Sequence, residues 1–434
     1  MEGTRVAARA SVAACVAVLF LAPSVQAQET VVFSPDAELA PPDGIMSAYV
    51  NDLAVAGAEV RLTWIGRTTY GYRWGFSASH DGGRTFVSSP PPGSYGAFSL
   101  AVRVAALPDG RFAYAWNDAG VGVLVGIEES DGSFRVSDFL GSNSTRSFDV
   151  AADDTGVYAA WIALGAGTTQ VMVGEFDPDD VRVVRTAAID VPTGDASQVR
   201  LSVREGILGL VWVDIDWYNG TTTVMFSHAG TDLNASAPVS VSGVSSAHEG
   251  FPTIAMGPGG IAFVAFGETY AYSPVRAWTG LPPGYGFQPF ADLATAIGAS
   301  HIDELAAEFD PLGRLTLEWV DGLGDSPAAT VQFTRASTLM SEFPSPTRLD
   351  QESARMKGGL AVGSNADGRA YAAWSTFSYG SDPDVHVARE YEPLPPPEPT
   401  PIWIVLGPLG VGVAGSASLV FLLRRRSRHR PRLE

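Results

Sequence analysis

Through the middle of the chain, hydrophobic and polar positions fall into short runs with strand character, and none of them keeps a helical period. Leu100 to Leu107 and Arg111 to Trp116 are rich in Val, Ala, Phe and Tyr, residues that suit a pleated, half-buried surface. Between them stands Pro108-Asp109-Gly110, and a similar Ala366-Asp367-Gly368 recurs near the end. Both read as tight turns, because Gly accepts positive φ and Asp caps its own turn. Each predicts a hairpin.

The pattern repeats. A turn glycine, about five residues of strand and an aromatic occur seven times, with aromatics Trp64, Trp116, Trp161, Trp212, Phe266, Trp319 and Trp374 spaced by 45 to 55 residues. The glycines Gly57, Gly110, Gly156, Gly206, Gly260, Gly313 and Gly368 lie 5 to 7 residues earlier. Further strands are expected at Tyr72 to Ser77, Val121 to Ile127, Thr223 to Ser227 and Val385 to Arg389. Units of four short strands with a period near ~50 residues build propeller blades, which bury their faces only against neighbouring blades. The expected fold is all-β, a seven-bladed β-propeller. Its last unit runs out before a fourth strand, and Thr30 to Phe33 carry an orphan strand pattern. Pairing the two would close the ring and remove two exposed edges.

The ends add a compartment. Arg5 and Arg9 precede an apolar run from Ala10 to Ala22, and Val25 and Ala27 supply the small residues of a signal-peptidase site, so residues 1–27 read as a signal peptide. Val12 to Cys15 also spell a lipobox, although the apolar stretch continues past it to Ala22. Cleavage after Ala27 removes Cys15, the sole cysteine, and leaves no disulfide or thiol chemistry. Ile402 to Leu423 gives 22 residues without a charge, enough to cross ~30 Å of hydrocarbon as a transmembrane helix. Six arginines follow in 424–434, which puts that tail in the cytoplasm and residues 28–392 outside. Between lies the Pro-rich stalk, 393–401, a semi-rigid spacer. Pro397-Glu398-Pro399, the apolar run and the arginines also resemble a PEP-type sorting signal, which a membrane protease would cut. The expected location is the cell membrane, single-pass, with the N-terminal domain extracytoplasmic.

Charge narrows the partners. The chain has 28 basic and 47 acidic residues, net −19. Two arginines and one glutamate lie before residue 28, and six arginines and one glutamate after residue 401, leaving 20 basic against 45 acidic between. A nucleic-acid partner is therefore not expected. The six His show no paired zinc spacing. No phosphate-cradling Gly loop and no Gly-x-Ser-x-Gly elbow occurs. Asp214, Asp216 and Asn219, or Asp177, Asp179 and Asp180, have the makings of a hard-cation loop, but the first lacks the closing Glu and the second falls in an ordinary turn slot. No cofactor or metal is expected.

One motif names a family. Ser79, Asp81, Gly83, Thr85 and Phe86 match the Asp box, so the chain resembles the sialidase-like (BNR/Asp-box) β-propellers. Ser130-Asp131-Gly132-Ser133-Phe134 is a partial second copy in the same slot. The resemblance implies a structural turn between third and fourth strands, with the Asp side chain on its own backbone amides and the aromatic packed between strands, away from any active site. The sialidases of that family open the domain with Arg-Ile-Pro and use three arginines, a Tyr nucleophile activated by a Glu, and an Asp acid; that opening is absent here. Ahead of the aromatic markers by 12 to 19 residues, however, lie Arg103, Arg146, Arg200, Glu249 beside His248, Asp303 with Glu304 and His301, and Arg355. Loops entering the inner strands line one mouth of the central channel, so these residues are expected to form a polar funnel for an anionic or sugar ligand, although surface loops are ordinarily charged. The expected role is a glycan- or protein-recognition module. One alternative is a glycoside hydrolase using Glu249, Asp303 or Glu304 as acid and base, and another is a structural scaffold.

Overall fold

The computed structural model describes residues 33–391 apart from short stretches, the longest of them 90–100. The expected signal peptide, stalk, membrane span and basic tail lie outside the described residues, among which no helix is long and apolar enough to cross a membrane.

Seven four-stranded antiparallel sheets form the domain. Their inner strands are Ser47–Ala56, Val102–Ala106, Phe148–Asp153, Ala196–Arg204, Glu249–Met256, Ile302–Phe309 and Met356–Ser364. Each packs against the inner strand of the next sheet, and the seventh packs against the first. The sheets therefore close a seven-bladed propeller. Blades 1 to 7 are named below in that order.

Each repeat aromatic sits on the second strand of its blade and points into the preceding blade: Trp64 packs with Tyr371 and Val385 of blade 7, Trp116 with Trp74 of blade 1, Trp212 with Tyr158 and Val173 of blade 3. Seven apolar clusters result, one at every interface between blades. A buried indole removes on the order of 200 Å² from water, about 5 kcal/mol before ordering costs. The repeat is thus a packing signal. Small residues on the third strand make room for the rings: a Cβ added at Gly126 would stand 2.9 Å from the Trp116 ring, and one at Gly174 3.2 Å from that of Trp161.

The turns between inner and second strands mostly follow expectation. Gly110 holds φ +89° and Gly368 φ +75°, and Asp109 accepts the Arg111 amide at 3.0 Å. In the last hairpin the cap is Asn365, whose Oδ1 accepts the amides of Asp367 and Arg369; Asp367 does not cap its own turn as the sequence suggested. Gly156 begins a strand, with the Tyr158 hydroxyl 3.1 Å from where its Cβ would stand.

An N-terminal segment supplies the fourth strand of blade 7, so the ring is clasped by the two ends of the domain. Its strand is Ala37–Leu39, paired with Val385 to Val387. Phe33 bridges Glu390, and the Ser34 amide donates to the Arg389 carbonyl at 2.8 Å. Among the described residues the pairing runs over Ala37–Leu39 with an isolated bridge at Phe33, and the rest of the predicted Thr30 to Phe33 strand lies outside them. The wedge between the two blades explains why Phe33 matters: its ring meets Phe333 of blade 6 edge-on at 4.7 Å.

At Asp81 the turn is organised by its own side chain. Oδ1 accepts the Arg84 and Thr85 amides at 2.9 Å, Oδ2 accepts the Thr85 hydroxyl at 2.7 Å, and Ser79 Oγ donates to Oδ1 at 2.8 Å. These bonds hold its carboxyl far below the usual carboxylate range. Gly82 donates to the Ala58 carbonyl at 2.8 Å, which puts this turn on the same face as the hairpin of the first two strands. That side is called the turn face here, and the opposite side, where inner strands begin, the mouth face.

Candidate functional site

The inner strands enclose a channel of about 870 Å³. In blades 1, 4, 5, 6 and 7 the inner strand carries a register shift near its start, at Val50/Asp52, Ser197/Arg200, Gly250/Thr253, Ile302/Leu305 and Gly358/Ala361. A bulge re-aims side chains and is common beside functional sites. In blade 4 the bulge includes Gln198 at φ +56°, a conformation that is costly for a residue with a Cβ. Two residues on, Arg200 turns into the channel.

Asp52, Arg103, Asp149, Arg200 and Glu304 line the mouth half of this cavity. Their carboxylates tie blades 1, 3 and 6 each to the following blade. Asp52 Oδ2 accepts the Val104 amide at 3.0 Å, Asp149 Oδ2 the Leu201 amide at 2.9 Å, and Glu304 the Gly359 and Leu360 amides at 2.9 and 3.2 Å. Asn51 does the same for the Val102 amide at 2.8 Å. The guanidiniums are less engaged. Arg103 donates through Nη1 to the Asn51 carbonyl and approaches Asp149 at 3.9 Å, while its Nε has no hydrogen-bond partner among the described residues. Among the described residues Arg200 donates to the Val199 carbonyl alone, at 3.4 Å.

The electrostatics record the crowding. Burial, with Arg103 adding like charge, lowers Arg200 to about 10. Burial raises Asp52 to about 6, opposed by Arg103 and reinforced by Asp149. At the other end, burial and Asp310 push Glu308 up to about 8. There Arg204 of blade 4 reaches past blade 5 to donate to the carbonyls of Phe309, Asp310 and Pro311 at 3.3, 2.7 and 3.0 Å. The channel is strapped at the turn face and lined toward the mouth by the Arg103 and Arg200 guanidiniums.

Of the residues singled out by sequence, Arg103, Arg200 and Glu304 meet in this cavity. Arg355 instead pairs with Asp384 at the blade 7 hairpin. Glu249 and Asp303 belong to inner strands, but their side chains, and all of Arg146, His248 and His301, lie outside the described residues. Glu304 serves as an inter-blade tie, a role that an acid or base could not fill without releasing two amides. Sequence reasoning missed Asp52 and Asp149. The signal was present: Asp52, Asp149 and Arg200 stand 12 residues before their aromatic markers and Arg103 stands 13 before.

Among the described residues no group of three His, Cys, Asp or Glu could hold a metal ion. Asp177 accepts the amides of Asp179 and Asp180, and Asp216 those of Tyr218 and Asn219; both are turn caps.

No family model matches the chain, and no curated protein matches it. Solved structures do. A protein of unknown function from Dyadobacter fermentans DSM 18053 superposes with a TM-score of 0.54 at 12% identity, over 84% of this chain and 100% of that one. An alpha-L-arabinanase from Penicillium chrysogenum (TM-score 0.44, 13% identity, 68% and 95% covered) and a subtype N11 neuraminidase-like protein of A/flat-faced bat/Peru/033/2010 (0.44, 8%, 85% and 97%) are also similar. At such identities what the chain shares with them is a fold.

Proposed function

We propose that this protein is a membrane-anchored, extracytoplasmic recognition module that binds a carboxylate-bearing glycan through the mouth of its propeller. One observation carries the reading: Arg103 and Arg200 line the same cavity, and among the described residues the Arg200 guanidinium is bonded to the Val199 carbonyl alone, at 3.4 Å. Guanidinium–carboxylate bonds are charge-assisted and directional, and burial strengthens them. The neighbouring carboxylates are bound to backbone amides, so they hold the cavity's shape while the arginines remain for a ligand.

The anchor reading rests on the apolar 402–423 run and the arginines after it. The last strand of blade 7, Asp384–Arg389, ends where Arg389 donates to the Gly82 carbonyl at 3.3 Å, so the chain leaves the propeller from the turn face. The self-bonded Asp81 turn supports kinship with the sialidase-like propellers.

The test is a glycan array probed with the full-length protein in detergent, beside Arg103→Ala and Arg200→Ala. Carboxylated glycans should bind, and each substitution should weaken binding by about tenfold or more. Binding that survives both substitutions overturns the reading.

A further inference from the structure

The second and third strands of blade 4, Ile207–Asp216 and Thr221–Ala229, are joined by a hairpin on the mouth face. At its tip Trp217 is 67% exposed and Tyr218 96% exposed. The repeat tryptophans of the same domain are buried, so this pair has no part in holding blades together. It is nonetheless fixed in place. The Trp217 indole N–H donates to Asp195, which directly precedes the inner strand. Asp216 Oδ1 accepts the Tyr218 and Asn219 amides at 3.0 Å each, and Oδ2 accepts the Asn219 side-chain amide at 2.7 Å. Thr193 Oγ donates to the Ile215 carbonyl at 2.9 Å. The Trp217 ring, held by its bond to Asp195 on a hairpin whose backbone is capped, loses little entropy on binding a partner.

The surroundings are acidic. Asp195 and Asp216 flank the aromatics, and Asp214 lies just beneath, its carboxyl raised by burial and by the charges of Asp216 and Asp195. Neither Asp214 nor Asp216 has a cationic side chain within ion-pair distance among the described residues. A negative potential around an open indole disfavours acidic lipid surfaces and acidic sugars. It favours a cation, which gains from the carboxylates through space and from the ring face directly; Trp is the best of the aromatic side chains for that contact.

We propose that the Trp217–Tyr218 hairpin is a docking site for a protein segment presenting lysine or arginine side chains, separate from the anion-binding channel. The first partner contact is a cation over the Trp217 ring, with Tyr218 supplying apolar contact beside it.

Fluorescein-labelled tetra-arginine, titrated with the full-length protein in detergent at about 50 mM salt and followed by anisotropy, is the probe. The double variant Trp217→Ala/Tyr218→Ala keeps every charge, so a general attraction of polycations to an acidic protein is unchanged by it. Binding is expected to weaken by about fivefold or more in that variant and to weaken less in Tyr218→Ala. Tyr218→Ala removes a ring that is almost wholly in solvent and so keeps the test valid where loss of the Trp217 bond to Asp195 disturbs the hairpin. Arg103→Ala should leave tetra-arginine binding intact, which separates this site from the channel. Equal affinity for the wild type and both aromatic variants overturns the proposal. So does aromatic-dependent binding of cellohexaose or of phosphatidylglycerol vesicles without any of tetra-arginine.

Discussion

The two faces of the ring use the same kinds of charged residue in opposite ways. On the turn face, charges are matched across blades: Arg61 of blade 1 grips both carboxylate oxygens of Glu128 in blade 2 at 2.9 Å, and Tyr114 donates to the same carboxylate at 2.6 Å. Arg111 reaches Asp179 of blade 3 at 2.9 Å, and Arg314 the Gly368 carbonyl of blade 7 at 2.7 Å. Toward the mouth, Arg200 is bonded to the Val199 carbonyl alone among the described residues, and burial shifts Asp52 and Arg200 from their ordinary values, as it does Glu308 at the other end of the channel. One repeat therefore builds a knitted face and an open one. Charges paired across blades gain little from a ligand, whereas a guanidinium with few protein partners is one that a ligand completes.

The sharpest way to break this contrast is to unknit the turn face. Arg61→Ala leaves Glu128 buried and uncompensated, and should cost about 3–5 kcal/mol in urea unfolding. The double variant Arg61→Met/Glu128→Leu should recover most of that loss. If Arg61→Ala leaves stability unchanged, the turn face is not held by its ion pairs.

A second test concerns blade 6, where Glu318 occupies the place that Ala115, Ala160, Ala265 and Ala373 hold in other blades. It is 0% exposed, neither oxygen makes a hydrogen bond of normal geometry among the described residues, and burial raises its carboxyl well above the usual range. The folded chain keeps the proton that the unfolded chain releases. Stability is therefore unpenalised below about pH 4 and declines as pH rises, with a slope of up to about 1.4 kcal/mol per unit from this group. Glu318→Gln should remove that share of the slope, so its advantage over wild type should be larger at pH 8 than at pH 5. A pH-independent difference would contradict this.

Smaller effects sharpen the picture. Asp81→Ala removes bonds that lie in water, and should cost about 1 kcal/mol without altering glycan binding at the mouth. Because the folded carboxyl is held low, its contribution is present above about pH 4 and disappears as the solution is acidified, so thermal melts of wild type and variant should converge in acid. At the mouth, ionisation of Asp52 near pH 6 adds a negative charge beside Arg103. Affinity for a carboxylated glycan should fall about threefold between pH 5 and 7.5, and Asp52→Asn should flatten that dependence.

Much of the fold was legible because packing in a propeller is periodic. Each marker aromatic fills an interface with the preceding blade, so its spacing reports the blade directly. The clasp was legible as an unpaired strand, but the pairing at Ala37–Leu39 was not, since nothing in the sequence marks those residues as partners of Val385 to Val387. The mouth was half legible. Arg103 and Arg200 stood out as charged residues ahead of the aromatic markers, whereas Asp52 and Asp149, each 12 residues before its own marker, were not singled out. The exposed Trp217 gave no sign in sequence, where it looks like any other strand-end aromatic.

The order of hydrophobic residues by itself determined the seven blades and the expectation of apolar ends, because burial area and period are local properties of the chain. Only the tertiary structure decided which charges are neutralised. Whether a carboxylate serves as a tie, as Glu304 does, or an arginine keeps its donors, as Arg200 does, depends on which backbone amide of the next blade lies within about 3 Å. That distance is set by the bulges and the closure of the ring, and the residue types alone do not contain it.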